Sequence, residues 1–155
     1  MSKRINYMKA APEAVKGFIA THGYLASSGL DKNLVDLVYL RVSQINHCAY
    51  CIDMHSQDLH KHGVPFEKLI LTSAWREAGE VFSPREQAAL AWAESVANVA
   101  ETAVPDADYA AAAAEFNEKE LADLSVAIAL MSAFNRLGVA FRNEPMAASR
   151  LARAS

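Results

Sequence analysis

Cysteine is nearly missing from this chain, with two among 155 residues, and those two stand only three positions apart. A basic excess is missing too: 15 Lys and Arg stand against 18 Asp and Glu, a net charge of −3, so no basic patch offers itself to nucleic acid and no like-charged run reads as a tail. No run of about 18 apolar residues marks a membrane span, and the first residues lack the apolar core of a signal peptide. These absences point to a cytoplasmic protein with neither a nucleic-acid nor a membrane partner. No segment alternates polar and apolar residues with a period of two, so strands are not expected. Nor is there a convincing internal repeat. Leu34-Val-Asp-Leu37 is echoed by Leu121-Ala-Asp-Leu124, weak support for two related helical halves.

What is present is apolar and helical. Hydrophobic residues make up 52% of the chain, high for a monomer, and suggest surface hidden between subunits. The length fits one domain, residues 1–155, able to bury about 70% of its unfolded surface.

The periodicity predicts helix after helix. Pro12 opens one that runs to about Ser27, where Ser-Ser-Gly breaks it. Asp31 caps the next, Lys32 to Ile45, which is apolar nearly all round and therefore buried. Its polar residues Asp36, Arg41, Ser43 and Gln44 need partners, and a structural ion pair or subunit contact is the plain expectation for Asp36 and Arg41. A helix from about His47 to His62 ends at Gly63-Val-Pro65, with Asp53, Gln57, Asp58 and Lys61 on a solvated face and His60 and His62 on the surface or in the last turn. Pro65 to Ser73 follows, then a loop or broken helix at 74–79 whose Trp75 either lines a pocket or packs in the core. Ser83-Pro-Arg-Glu86 is a capping box opening a helix to about Glu101. An alanine-rich helix near Tyr109–Glu115 precedes the last long one, capped by Asn117 and running from Glu118 to Arg142. The expected fold class is all-α.

The chemistry concentrates in Asn46-His-Cys-Ala-Tyr-Cys-Ile-Asp-Met-His55. On a helix, three- and four-residue spacings put Cys48, Cys51 and His55 on one face. An ordinary thiol at pKa ~8.5 is only about 3% ionised at pH 7, and a helix N-terminus or imidazolium lowers that pKa. Nucleophilicity falls along with basicity, so a roughly 15-fold gain in thiolate shrinks to about 3-fold in rate. The larger benefit is the second cysteine, which condenses with a sulfenic acid on the first. Three readings meet here. A dithiol redox site is favoured by a lone CxxC. Zinc would take Cys48, Cys51 and His55 with Asp36 or His47, although structural zinc sites usually gather two separated clusters. The third is a pair of cysteines buried as small hydrophobes, against which the spacing of His55 weighs.

The run from Leu34 to His55, above all Arg41-Val-Ser-Gln-Ile-Asn-His-Cys-Ala-Tyr-Cys-Ile-Asp-Met-His55, resembles the core of the alkylhydroperoxidase AhpD-like proteins in the carboxymuconolactone decarboxylase superfamily, and Phe134-Asn-Arg-Leu-Gly-Val-Ala-Phe-Arg142 resembles the end of their last helix. The resemblance covers about residues 12 to 142. It implies an AhpD-like multi-helix subunit with the CxxC at the start of a buried helix, assembled as a homotrimer or homohexamer. It also implies a thiol-dependent peroxidase that needs no cofactor or metal, takes a hydroperoxide substrate and is recharged by a thiol or dithiol electron donor. Its catalytic residues fall on Cys48, Cys51 and His55. The family's relay glutamate, twelve residues before the first cysteine, is replaced here by Asp36. Aspartate is shorter by about 1.5 Å, so a bridging water is the expected link to the imidazole. The CxxC argues against the lactone-decarboxylating branch. A non-catalytic redox-sensing or metal-binding module on the same scaffold is the alternative.

Overall fold

A computed structural model describes residues 4–154, and among these there is no strand. The helices are α1 (Tyr7–Ala10), α2 (Pro12–Leu25), α3 (Lys32–Ile45), α4 (Ala49–Lys61), α5 (Phe66–Leu71), α6 (Pro84–Ala97), α7 (Val99–Thr102), α8 (Asp106–Ala113), α9 (Glu118–Ala140) and α10 (Met146–Ala154). Short 3₁₀ turns at Thr72–Glu77 and Gly79–Val81 join α5 to α6.

α3 is the axis of the bundle. It packs against α4, α6 and α9, and every residue from Leu34 to Leu40 is buried. Nothing polar is wasted at its start, because Asp31 accepts a hydrogen bond from the Leu34 amide at 2.8 Å. Leu34, Val38 and Val42 of α3 meet Leu124, Ile128 and Met131 of α9 in the main core, with Trp92 of α6 closing it. Trp92 is anchored by its indole N–H, which donates to Ser125 Oγ at 2.9 Å. Capping boxes at Ser83/Glu86 and Asn117/Glu120 start α6 and α9 where the sequence places them.

α9 qualifies for a membrane span by length and composition, since its 23 residues include an 18-residue window of mean hydropathy 1.3. Packing shows it to be a core helix: 44% of that window is buried, and its buried Asp123 accepts from Lys119 Nζ at 2.6 Å and Tyr24 Oη at 3.0 Å.

The structure departs from the sequence reading in several places. The helix expected to reach Glu101 breaks at Asn98, whose side chain turns back to donate to the Glu94 carbonyl at 2.8 Å. α1 and α10 were not anticipated, both being short and close to the ends of the chain. Trp75 belongs to the core, 6% exposed, with its indole N–H donating to Glu94 Oε1 at 2.8 Å. Arg41 pairs with Glu94 at 2.7 Å rather than with Asp36, and Arg76 joins the same carboxylate at 2.8 Å. Burial alone would push the Glu94 carboxyl up, but the bonds from Trp75, Arg76 and Arg41 more than offset it and hold it below the usual carboxylate range.

Candidate functional site

α3 and α4 are joined by a turn of three residues, and that turn presents the cysteines. Asn46 ends α3, His47 adopts a left-handed backbone at φ 55°, and the Cys48 amide donates back to the Ser43 carbonyl at 3.0 Å. Cys48 is therefore not on the helix with Cys51. It is the N-cap of α4, extended at φ −86° and ψ 92°, and its Sγ accepts from the Cys51 amide at 3.4 Å where a hydroxyl or carboxylate oxygen usually sits. The reason is the left-handed residue before it, which stops α3 and lets α4 start afresh. The two cysteines are joined as a disulfide with Cα atoms 5.3 Å apart, within the ordinary range. Reduced, both sulfurs would lie at a helix N-terminus, where the dipole favours thiolate.

His55 lies one turn beyond Cys51 and only 3% exposed. Its Nδ1 is 3.6 Å from Asp36 Oδ1, beyond hydrogen-bond length. Among the described residues, no group hydrogen-bonds either ring nitrogen. Asp36 thus reaches toward the imidazole from α3 without closing on it, as its missing methylene leads one to expect.

Of the sequence-derived site residues, Cys48, Cys51, His55 and Asp36 come together at the α3–α4 seam. His47 is exposed at the mouth, and His60 and His62 lie on the surface. Among the described residues, no group of three or more His, Cys, Asp and Glu is arranged to hold a metal ion. Both sulfur-bearing residues are buried, Cys48 at 1% and Cys51 at 4% exposure. Access differs all the same. A cleft of about 630 Å³ opens against Cys48, between the start of α4 (His47, Tyr50) and the end of α9 (Gly138, Phe141), while Cys51 and His55 lie behind it.

Several residues the sequence reading passed over shape this site. Gly138 on α9 faces the sulfurs, and a Cβ there would stand 3.0 Å from Cys48 Sγ and 3.8 Å from Cys51 Sγ. Glycine inside a helix is unfavourable without such a reason, which is the signal that could have revealed it. Asn135, fully buried one turn earlier, is held between the Ser43 hydroxyl at 3.0 Å and the Asn46 amide at 3.2 Å, tying α9 to the turn that carries Cys48. Asp53, expected on a solvated face, instead accepts from the Ala147 amide at 2.8 Å and pairs with Arg150, docking α10 onto α4. Tyr39, one turn along α3 from Asp36, packs its ring on His55 with centroids 5.1 Å apart.

Residues 12–95 match the carboxymuconolactone decarboxylase family. The chain is 34% identical over 143 residues to the uncharacterised protein YdfG of Bacillus subtilis (strain 168), covering 92% of this chain and 97% of that one. It is similar to the crystal structure of a protein of unknown function from Agrobacterium tumefaciens, described as a candidate antioxidant defence protein AhpD, with a TM-score of 0.89, 39% identity and coverage of 93% and 98%. A 40-residue stretch is 50% identical to alkyl hydroperoxide reductase AhpD of Maricaulis maris (strain MCS10), covering 26% of this chain and 23% of that protein.

Proposed function

This chain belongs to the carboxymuconolactone decarboxylase family as an AhpD-like member, and from that premise we propose that it is a thiol-dependent peroxidase in which Cys48 and Cys51 cycle between dithiol and disulfide. The observation that carries the reading is the disulfide at the start of α4 with His55 buried one turn beneath it and Asp36 at its back. The whole chain acts as one domain.

Cys51, a turn from His55, gives its proton to the imidazole, and Asp36 favours the imidazolium that results. The thiolate attacks the outer peroxide oxygen, the O–O bond breaks, and the alcohol leaves with a proton. The sulfenic acid on Cys51 is then attacked by Cys48, water departs, and the disulfide forms. Peroxide has gained the two electrons that the sulfurs lost. A thiol or dithiol donor restores them through the cleft, meeting Cys48 first because Cys48 lines it. Such a cycle suits the reducing cytoplasm. The burial of both sulfurs favours a second reading, a redox sensor that oxidises once without turning over.

Hydroperoxide consumption with dithiothreitol as donor separates the two. Wild type is expected to turn over many times, and Cys48→Ser and Cys51→Ser to lose multiple turnover. Consumption of one equivalent by wild type with dithiothreitol present, leaving the two thiols as a disulfide that the donor reduces only after the protein is unfolded, would establish the sensor instead.

A further inference from the structure

Two helices end at the cleft over Cys48, and both end in the same way. At the close of α3 the His47 amide donates to the Gln44 carbonyl at 3.2 Å and the Cys48 amide to the Ser43 carbonyl at 3.0 Å. At the close of α9 the Arg142 amide donates to the Val139 carbonyl at 3.2 Å and the Asn143 amide to the Gly138 carbonyl at 2.9 Å. This paired stop places one residue in the left-handed region, usually glycine because a Cβ is crowded there. Here the two residues are His47 at φ 55° and Arg142 at φ 54°, and both line the cleft. Backbone held in so sparse a region, in residues that carry side chains, clusters at functional sites. A helix C-terminus does favour a cation, but any position in the last turn serves that purpose. α9 already receives one, because Arg4 donates to the Ala140 carbonyl.

The cleft lining thus carries Arg4, His47 and Arg142 against a single carboxylate, Glu144, in a chain whose net charge is −3. Tyr50 and Phe141 add apolar wall beside these groups. We propose that the cleft binds a small anionic thiol, an organic molecule bearing a carboxylate or sulfonate, as the donor that reduces the disulfide. This rests on reading the site as a dithiol redox centre. A cleft of about 630 Å³ is of small-molecule size. The donor's anionic group faces Arg142, Arg4 and His47, and its sulfur meets Cys48, the cysteine that lines the cleft. One donor thiolate attacks Cys48 Sγ, the Cys48–Cys51 bond breaks, and Cys51 leaves with the electron pair. A second donor thiolate attacks the donor sulfur of the mixed disulfide, and Cys48 leaves in turn. The donors lose two electrons and join as their own disulfide, and the two protons they release return on Cys51 and Cys48. Positive potential focused in a cleft raises the local concentration and encounter rate of an anion.

The test uses full-length oxidised protein, with free protein thiols counted by alkylation and mass after acid quenching. Mercaptoethanesulfonate, mercaptoethanol and cysteamine supply an anionic, a neutral and a cationic thiol of similar size. Each rate is divided by that thiol's rate on the uncharged bis(hydroxyethyl) disulfide, which removes differences in intrinsic reactivity. The anionic thiol is expected to exceed the cationic one by about ten-fold at low salt, a margin that shrinks at high salt. Arg142→Gly suits the backbone and is expected to melt at or above wild type, yet to cut the margin by roughly three-fold, and further when combined with Arg4→Ala. Arg142→Lys keeps the charge and is expected to hold the margin. A disulfide that resists all three thiols, equal normalised rates, or a margin unchanged in the Arg4→Ala and Arg142→Gly double variant overturns the proposal. Failure to turn over hydroperoxide while the margin holds would remove the peroxidase reading alone.

Discussion

At the residue scale, the gap between His55 and Asp36 decides how the site works. A separation of 3.6 Å leaves an attraction of charge and little directional bonding. Arg41 is taken up by Glu94, so an intrachain pair with Arg41 does not explain this buried carboxylate. General acid–base assistance is worth about 10²–10⁴-fold, and His55→Ala is therefore expected to cut peroxide turnover at least ten-fold. Asp36→Asn is expected to lower it as well. Asp36→Glu adds about 1.5 Å of reach and is expected to match or exceed wild type. Rates per folded site together with the thiolate titration check this, and an Asp36→Asn protein unchanged in both would dismiss the relay. Gly138 answers a steric question. Gly138→Ala improves the helix by about 0.5–1 kcal/mol on propensity alone, but its Cβ would stand 3.0 Å from Cys48 Sγ. We expect the oxidised protein to melt lower and the reduced protein, whose sulfur can rotate away, to change little. Equal shifts in the two melting curves would show that the contact does not matter. Cys48, Cys51 and His55 were legible in the sequence from their spacing, and Asp36 from the family resemblance, which puts the relay carboxylate twelve residues before Cys48. Gly138 and Asn135 were not, because they matter only through approaches between helices distant in the chain.

At the element scale, the helix starts were readable and some functions of their side chains were not. Asp31, Ser83 and Asn117 cap helices within three residues of themselves, so sequence alone suffices to place them. Cys48 caps α4 with a sulfur, an unusual choice of cap, so spacing alone puts it inside the helix. Asp53 caps a helix more than ninety residues away, and no local pattern announces that. It accepts the Ala147 amide in the first turn of α10 and pairs with Arg150 one turn on, a carboxylate placed where the helix dipole favours it. α10 is short and its Leu151 is 71% exposed, so this anchor carries much of its docking. Asp53→Ala is expected to bring the amides of Met146–Ala154 close to unprotected hydrogen-exchange rates while leaving α3 and α9 protected. Unaltered protection in α10 would show that apolar contacts alone hold it.

At the scale of the whole molecule, fold class was the most legible property, since a 3.6-residue period sustained over long segments admits little but helices. Assembly is less so, because composition says that apolar surface must be hidden but not where. Phe66 and Ile70 answer that in part. They lie one turn apart on α5, 63% and 56% exposed, and form an apolar face on a helix of six residues that otherwise contributes only Leu69 to the buried core. Burying side chains of this size is worth about 1.5–3 kcal/mol each, an appreciable share of a subunit contact when closed symmetry repeats it. The trimer or dimer of trimers that the family resemblance implies is expected to form through a contact that includes this face. Light scattering should return three or six times the 16.9 kDa subunit mass. Phe66→Asp with Ile70→Asp should lower that mass while leaving the helical signal intact, because neither side chain supports the fold of its own subunit. A double variant with the wild-type mass would move the contact to another face, and a wild-type monomer at micromolar concentration would end the expectation of assembly altogether.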